Sequence, residues 1–275
     1  MRGSKRAGYA AHIGGRPVQQ DRAACFVSAD GTVHLLVVAD GMGGRQGGDL
    51  AAQVVIDTAA RLWGGRADPP ADPGAFLETL CQEAHAEIRR GAQDGGEAGG
   101  STVAALLATP ERAWWVHVGD SRVYGFRDGL PVCRTEDHTV VQQLVRCGRI
   151  DADAVAAHPE QNKLLRGLGA DETVQTTHGQ MQVSAGTGFV LCTDGFWERV
   201  SGAEMAGLLR EADAAAACTR WVEIAAGRGG ADGDNATVAV LQPAGEPLRM
   251  AHRQLWPLYA AVFAALAMGL FHAFR

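Results

Sequence analysis

The chain has 275 residues, 47% of them hydrophobic and 20% charged, enough for one large domain or two small ones. Its formal net charge is −6, with no long basic run ahead of the tail, which excludes the electrostatic footprint of a nucleic-acid binder. The six cysteines, at 25, 81, 133, 147, 192 and 218, form no CxxC pair and no zinc-finger spacing; they read as reduced, mostly buried thiols of a cytosolic compartment.

The N-terminal MRGSKRAGYAAHIGG is basic but lacks the apolar segment of a secretory signal. Two strand-like runs, AACFVSAD (23–30) and VHLLVVAD (33–40), flank Asp30-Gly31 and predict a hairpin. Residues 49–63 predict a helix with Leu50, Val54, Val55, Thr58 and Leu62 on one face. A second helix is expected over 73–90, and DGGEAGG (94–100) reads as a flexible link. Three strands follow over 101–109, 112–120 and 121–129, then a helix over 139–147 ended by Gly148 as its C-cap. Residues 149–170 have a mixed pattern and read as a flap-like insertion. Later strands are expected over 172–182, 188–195 and 235–242, with helices over 202–210 and 212–226. Hairpins, with helices grouped in blocks, point to an α+β fold with antiparallel sheets.

The tail differs. Residues 255–271, LWPLYAAVFAALAMGLF, carry no charge over 17 positions, the lower limit for crossing a bilayer. Arg249 and Arg253 precede the run, Trp256 and Tyr259 suit an interfacial belt, and Pro257 suits a first helical turn. A core helix is the alternative. The uniform apolarity favours a C-terminal anchor, a single-pass helix over 255–273 joined by a linker over 242–254 to a domain over 1–241. The arginines place that domain on the cytoplasmic side of the cell membrane.

Three apolar runs stop on an aspartate: LLVVAD at Asp40, WWVHVGD at Asp120 and FVLCTD at Asp194. Asp234 directly precedes the last strand, and Asp21 the first. Spacing alone leaves turns and caps open as explanations, since Asp-Gly is a strong turn dipeptide. If the strand ends converge, the carboxylates cannot all stay ionised unaided, and a hard divalent cation resolves the conflict. Oxygen ligands suit magnesium, manganese or calcium; no HExxH-like pairing suggests zinc.

Eight segments in order carry a resemblance: RPVQQD (16–21), VVADGMGG (37–44), GGST (99–102), VGDSR (118–122), TEDHT (135–139), LLRGLG (164–169), CTDG (192–195) and GDNAT (233–237). Together they resemble the metal-dependent Ser/Thr protein phosphatases, the PPM or type 2C family, and best its bacterial subgroup. The resemblance implies a four-layer α-β-β-α sandwich with two central antiparallel sheets. It implies two Mg2+ or Mn2+ ions, with a third possible, and hydrolysis of phosphoserine or phosphothreonine in proteins by a metal-activated water. By that resemblance Asp40 bridges the two ions, the Gly41 carbonyl binds one, and Asp194 and Asp234 hold the other. Asp21 acts through water, Asp120 and Asp194 form a weaker third position, Arg16 grips the phosphate, and Asn235 is a positioning residue. Phosphorylated proteins, a Ser/Thr kinase and its substrates are the implied partners.

Two departures stand out. Met42 follows Asp-Gly where many eukaryotic members have His, and a thioether donates no proton. Gln20 stands where a glutamate often precedes the aspartate. Cys192 lacks a phosphate-binding loop and reads as strand packing, and His138 reads as structural. A catalytically silent binding module on the same fold, or a phosphatase of small phosphoesters, would share much of the pattern.

Overall fold

The computed structural model describes residues 6–43, 47–66, 68–93, 99–151, 154, 158–161 and 163–244. In chain order the elements begin with β1 (Ala7–His12), β2 (Asp21–Val27), β3 (His34–Gly43), α1 (Gly47–Trp63), α2 (Pro73–Gln93), β4 (Gly99–Ser101), β5 (Val103–Ala108), β6 (Arg112–Val118), β7 (Arg122–Arg127) and β8 (Leu130–Arg134). There follow α3 (Val140–Arg146), β9 (Thr177–Gln182), β10 (Thr187–Cys192), α4 (Asp194–Trp197), α5 (Gly202–Leu208), α6 (Ala214–Gly229) and β11 (Ala236–Leu241).

Two antiparallel sheets result. One has the order β1-β11-β10-β7-β8; the other has β2-β3-β5-β6-β9, with β4 paired to the far end of β3. Three apolar layers separate four layers of structure. β3 shows why. Leu35, Val37 and Ala39 face α1 and α2, while Leu36 and Val38 face the other sheet. Side chains alternate across a strand, so a strand covered on both faces must be apolar at every position, as the run 35–39 is. β10 does the same with Phe189 and Leu191 between the sheets and Val190 and Cys192 against α5 and α6. Each such buried Val, Leu or Phe contributes about 1.5–3 kcal/mol. The architecture is the α-β-β-α sandwich expected.

Several local expectations are corrected. β3 does not stop at Asp40: it runs on to Gly43, because Gly41–Gly43 pair with Gly99–Ser101. Two of the residues expected as a flexible link, Gly99 and Gly100, therefore lie in a strand; 94–98 lie outside the described residues. In α1 the buried face is Ala51, Ala52, Val55, Thr58, Ala59 and Trp63, and Leu50 is 58% exposed. Small alanines let the helix approach the sheet, so size outweighed apolar character in choosing the face. β1, β8 and the one-turn α4 were not anticipated. Asp21 opens the second strand of the chain, not the first.

The helix over 140–146 has the expected ends: Thr139 Oγ1 accepts the Gln142 N–H at 3.2 Å, and Gly148 follows at φ +66°. The apolar run 255–271, with the expected anchor and most of its linker, lies outside the described residues. Among the described residues no helix is long and apolar enough to cross a membrane.

Candidate metal centre

Antiparallel register sets Asp21 directly opposite Asp40, so their side chains share a face of the sheet. Asp40 is held through its backbone. Its N–H donates to Thr102 Oγ1 at 3.0 Å; its carbonyl accepts from the Thr102 N–H at 2.8 Å and Ser101 Oγ at 3.1 Å. Thr102 Oγ1 shares a 2.7 Å hydrogen bond with Ser121 Oγ, beside Asp120. Asp21 is buried, and its Oδ2 accepts from Thr193 Oγ1 at 2.7 Å. The same Thr193 oxygen accepts the Thr237 N–H at 3.0 Å, so one hydroxyl joins β2 of one sheet to β11 of the other.

Asp194 is the first residue of α4, and its Oδ1 accepts the Gly195 N–H at 2.6 Å. Asp234 precedes β11; its Oδ1 accepts the Asn235 N–H at 2.8 Å. Asp120 follows Gly119, whose φ of +96° turns the chain sharply at the end of β6, and is buried.

The five carboxylates act on one another. Burial, opposed by the Thr193 hydrogen bond and reinforced by the Asp194 and Asp234 charges, pushes Asp21 up to about 7. Burial and the charge of Asp234 push Asp194 up to about 6. Asp40 and Asp120 are raised well above the usual carboxylate range, first by burial; Asp40 also feels Asp21, Asp194, Asp120 and Asp234, and Asp120 feels Asp194. The sequence-predicted acids are thus within reach of one another's fields.

Arg16 is paired: its Nη2 donates to Asp234 Oδ2 at 2.7 Å, with side chains 55% and 40% exposed. Asn235 organises the loop that carries it. Asn235 Oδ1 accepts the Gln20 N–H at 2.7 Å, and its Nδ2 donates to the Ile13 carbonyl at 2.7 Å and the Val18 carbonyl at 3.2 Å. Gly41 has no room for a side chain, since a Cβ there would overlap the Gly48 carbonyl oxygen. Its N–H donates to the Gln20 carbonyl at 3.2 Å. Met42 reaches over to Gly167, where its methyl group fills the space a Cβ would take.

Sequence reasoning did not find Thr102, Thr193 or Trp197, whose indole Nε1–H donates to the Asp120 carbonyl at 3.0 Å. Thr102 and Thr193 stand in the quoted motifs GGST and CTDG, but only the tertiary contacts reveal their task.

Among the described residues, no three acidic, imidazole or thiolate side chains already close on one point as a finished ligand set. Two observed contacts account for this: Arg16 draws Asp234 toward itself, and Asp194 folds back on its own helix N-terminus. The donor chemistry nevertheless fits hard divalent cations. It is all oxygen, enclosed and strongly self-repelling, and the Arg16 charge beside Asp194 and the Arg122 charge beside Asp120 do not offset the elevation. The bare backbone at Gly41 lies pressed against the Gly48 and Gln20 backbone.

The two-sheet sandwich flanked by helices, with acidic strand ends gathered together, is the architecture to which the sequence motifs pointed. The protein phosphatase 2C family profile matches residues 8–232, and the chain belongs to that family. The Ser/Thr protein phosphatase PstP of Mycobacterium tuberculosis is 35% identical over 209 residues, covering 75% of this chain and 40% of PstP. The chain thus spans well under half the length of that relative. The S. agalactiae Ser/Thr phosphatase structure superposes with a TM-score of 0.77 at 26% identity, covering 86% of this chain and 98% of its own. The PstP catalytic domain in complex with two manganese ions superposes with a TM-score of 0.69 at 32% identity, covering 85% of this chain and 96% of its own.

Proposed function

We propose that this chain hydrolyses phosphoserine and phosphothreonine in proteins, using two Mg2+ or Mn2+ ions and a weaker third. The observation that carries the reading is the gathering of enclosed carboxylates in a phosphatase 2C fold: Asp21 directly opposite Asp40 across the β2–β3 ladder, with Asp120, Asp194 and Asp234 close enough for their charges to act on the group. Asp40, the Gly41 carbonyl, Asp194, Asp234 and Asp120 are the groups that would hold these ions. Asp21 is assigned to the site through a water. Bound there, such ions lower the pKa of a shared water and neutralise charge on phosphoryl oxygens.

The chain's own groups supply the rest. Thr193 Oγ–H fixes Asp21 Oδ2 and so orients that carboxylate. Asn235 holds the 13–20 loop, which sets Arg16 at the rim beside Asp234. Once Asp234 is engaged elsewhere, the Arg16 guanidinium is released, and its planar fork suits two phosphate oxygens. Cys192 is fully buried and its thiol pushed up by that burial, so it is not poised as a nucleophile. Met42 has no proton to give, so the leaving alkoxide has to be protonated by another group.

The test is phosphate release from phosphothreonine, phosphoserine and phosphotyrosine peptides and from p-nitrophenyl phosphate, with and without manganese. Manganese-dependent turnover with kcat/KM highest for the phosphothreonine or phosphoserine peptide supports the reading. Turnover unchanged in both Asp40→Asn and Asp194→Asn overturns it.

We also propose that residues 255–273 tether the domain to the cytoplasmic face of the cell membrane, within reach of a membrane Ser/Thr kinase and its substrates. The support is the charge-free run and the arginines before it. Full-length protein remaining soluble after detergent-free lysis overturns the tether.

A further inference from the structure

We propose that Trp197 is a positioning residue that fixes Asp120 relative to Asp194 and thereby tunes the weaker divalent-cation position between them. This rests on the metal-centre reading above. Asp194 and Trp197 are the first and last residues of α4, a single turn whose geometry leaves little freedom between them. That turn is secured on both sides: the Trp197 N–H donates to the Thr193 carbonyl at 3.1 Å, and Phe196 is fully buried.

From α4 the Trp197 indole reaches across to the corner between β6 and β7. Its Nε1–H donates to the Asp120 carbonyl at 3.0 Å. Its ring lies beneath the Arg122 guanidinium, whose Cζ is 3.3 Å from the ring centroid. Arg122 is in turn clamped by Asp137, from Nε to Oδ1 at 2.8 Å and Nη2 to Oδ2 at 2.6 Å, and its Nη1 donates to Tyr124 Oη at 3.0 Å. One side chain therefore holds Asp120 twice, through its own carbonyl and through the residue two positions on. The corner needs such a hold, because Gly119 at φ +96° is a pivot with no side chain of its own. On the far side, His138 closes the grip: its N–H donates to the Gly119 carbonyl at 3.0 Å, and its Nδ1 accepts the Gly119 N–H at 3.2 Å.

Trp197→Phe keeps a ring under Arg122 and removes the N–H. Trp221→Phe is the control: that indole donates to Glu211 Oε1 at 2.7 Å, in α6 and away from the acids. The manganese dissociation constant of the weakest site, read by calorimetric titration without substrate, should rise about fivefold in Trp197→Phe, the loss of one net hydrogen bond, and the manganese concentration giving half-maximal phosphatase activity should rise with it. kcat at saturating manganese should approach that of the parent, and Trp221→Phe should leave the manganese midpoint unmoved. In an Asp120→Asn background, Trp197→Phe should add no further shift. Should Trp197→Phe not fold, benzothienylalanine at 197 replaces the N–H by sulfur in a ring of the same shape and should give the same shift.

A manganese-dependent parent with an unshifted midpoint in these variants overturns the positioning role alone. An equal shift in Trp221→Phe overturns it too, since loss of any indole bond would then suffice. A parent with no manganese dependence overturns the metal-centre reading itself.

Discussion

Asp137 and Asp40 are both enclosed aspartates, but only Asp137 has a cation of the protein's own beside it. Arg122 meets Asp137 through two short, near-parallel hydrogen bonds, with side chains 12% and 10% exposed. Burial alone would lower the Arg122 pKa, yet Asp137 more than offsets it and the guanidinium is held above its ordinary value. Asp40 faces Asp21, Asp194, Asp120 and Asp234, and the balance falls the other way. A buried acid with an internal partner is a structural joint. A buried acid surrounded by other acids is a demand for something from outside; Trp197 touches both groups, through Arg122 on one side and the Asp120 carbonyl on the other.

The largest effect should come from removing that demand. Asp40→Asn or Asp194→Asn should cut manganese-dependent turnover roughly a thousandfold, on the order of 4 kcal/mol of transition-state stabilisation. The metal-free variants should nonetheless unfold at higher urea than the parent at pH 8, because repulsion has been relieved. Breaking the joint should do the reverse. Arg122→Met leaves Asp137 uncompensated and should cost about 3 kcal/mol of folding stability by urea titration.

pH separates the two kinds of acid further. With Asp21 near 7 in the native state and 3.8 as its ordinary value, the metal-free native protein holds a proton between those limits that the unfolded chain does not. Its contribution to stability therefore rises as pH falls from 7 toward 4, by at most about 1.4 kcal/mol per pH unit. His34 and His138, lowered by burial to about 4 and about 3, oppose it: stability is lost as pH falls below their ordinary 6.5. The difference between parent and Asp21→Asn isolates the first effect. Asp21→Asn should be the more stable at pH 8, and the gap should narrow steadily as pH falls from 7 and close by about pH 4. The smallest change in stability belongs to Arg16→Ala, whose exposed ion pair should matter by less than about 1 kcal/mol. Its KM for a phosphopeptide should rise about tenfold, because a charged fork to phosphate is lost.

Much of this was legible in the residues. Apolar runs with aspartates at their ends announced both the strands and the acids, because burial on two faces and polar ends leave an unmistakable pattern. At Gly41 the backbone runs so close to Gly48 that no side chain would fit. The continuation of the glycines after Asp40 as a strand was hidden, because Gly41–Gly43 pair with Gly99–Ser101, a segment equally bare of side chains. β1, with sequence AGYAAH, and β8, with LPVCR, carry little alternation and a proline, so neither advertised itself. Leu50 misled because its size suggested burial, whereas alanines fit the narrow gap beside the sheet. Thr193, Thr102 and Trp197 act through contacts made 62 to 172 positions away in the chain, which no local pattern encodes.

The stretch after α3 is pinned at its base. Thr139 bridges to Leu164 and Ser101 to Leu168; the Val140 N–H donates to the Lys163 carbonyl at 2.9 Å, and the Leu165 N–H to the His138 carbonyl at 2.7 Å. These staples isolate the acids from whatever lies between them. Residues 149–161 thus enter and leave the domain through one hydrogen-bonded base. A chimera that exchanges them for the matching span of a relative should change which proteins are acted on while leaving hydrolysis of p-nitrophenyl phosphate intact.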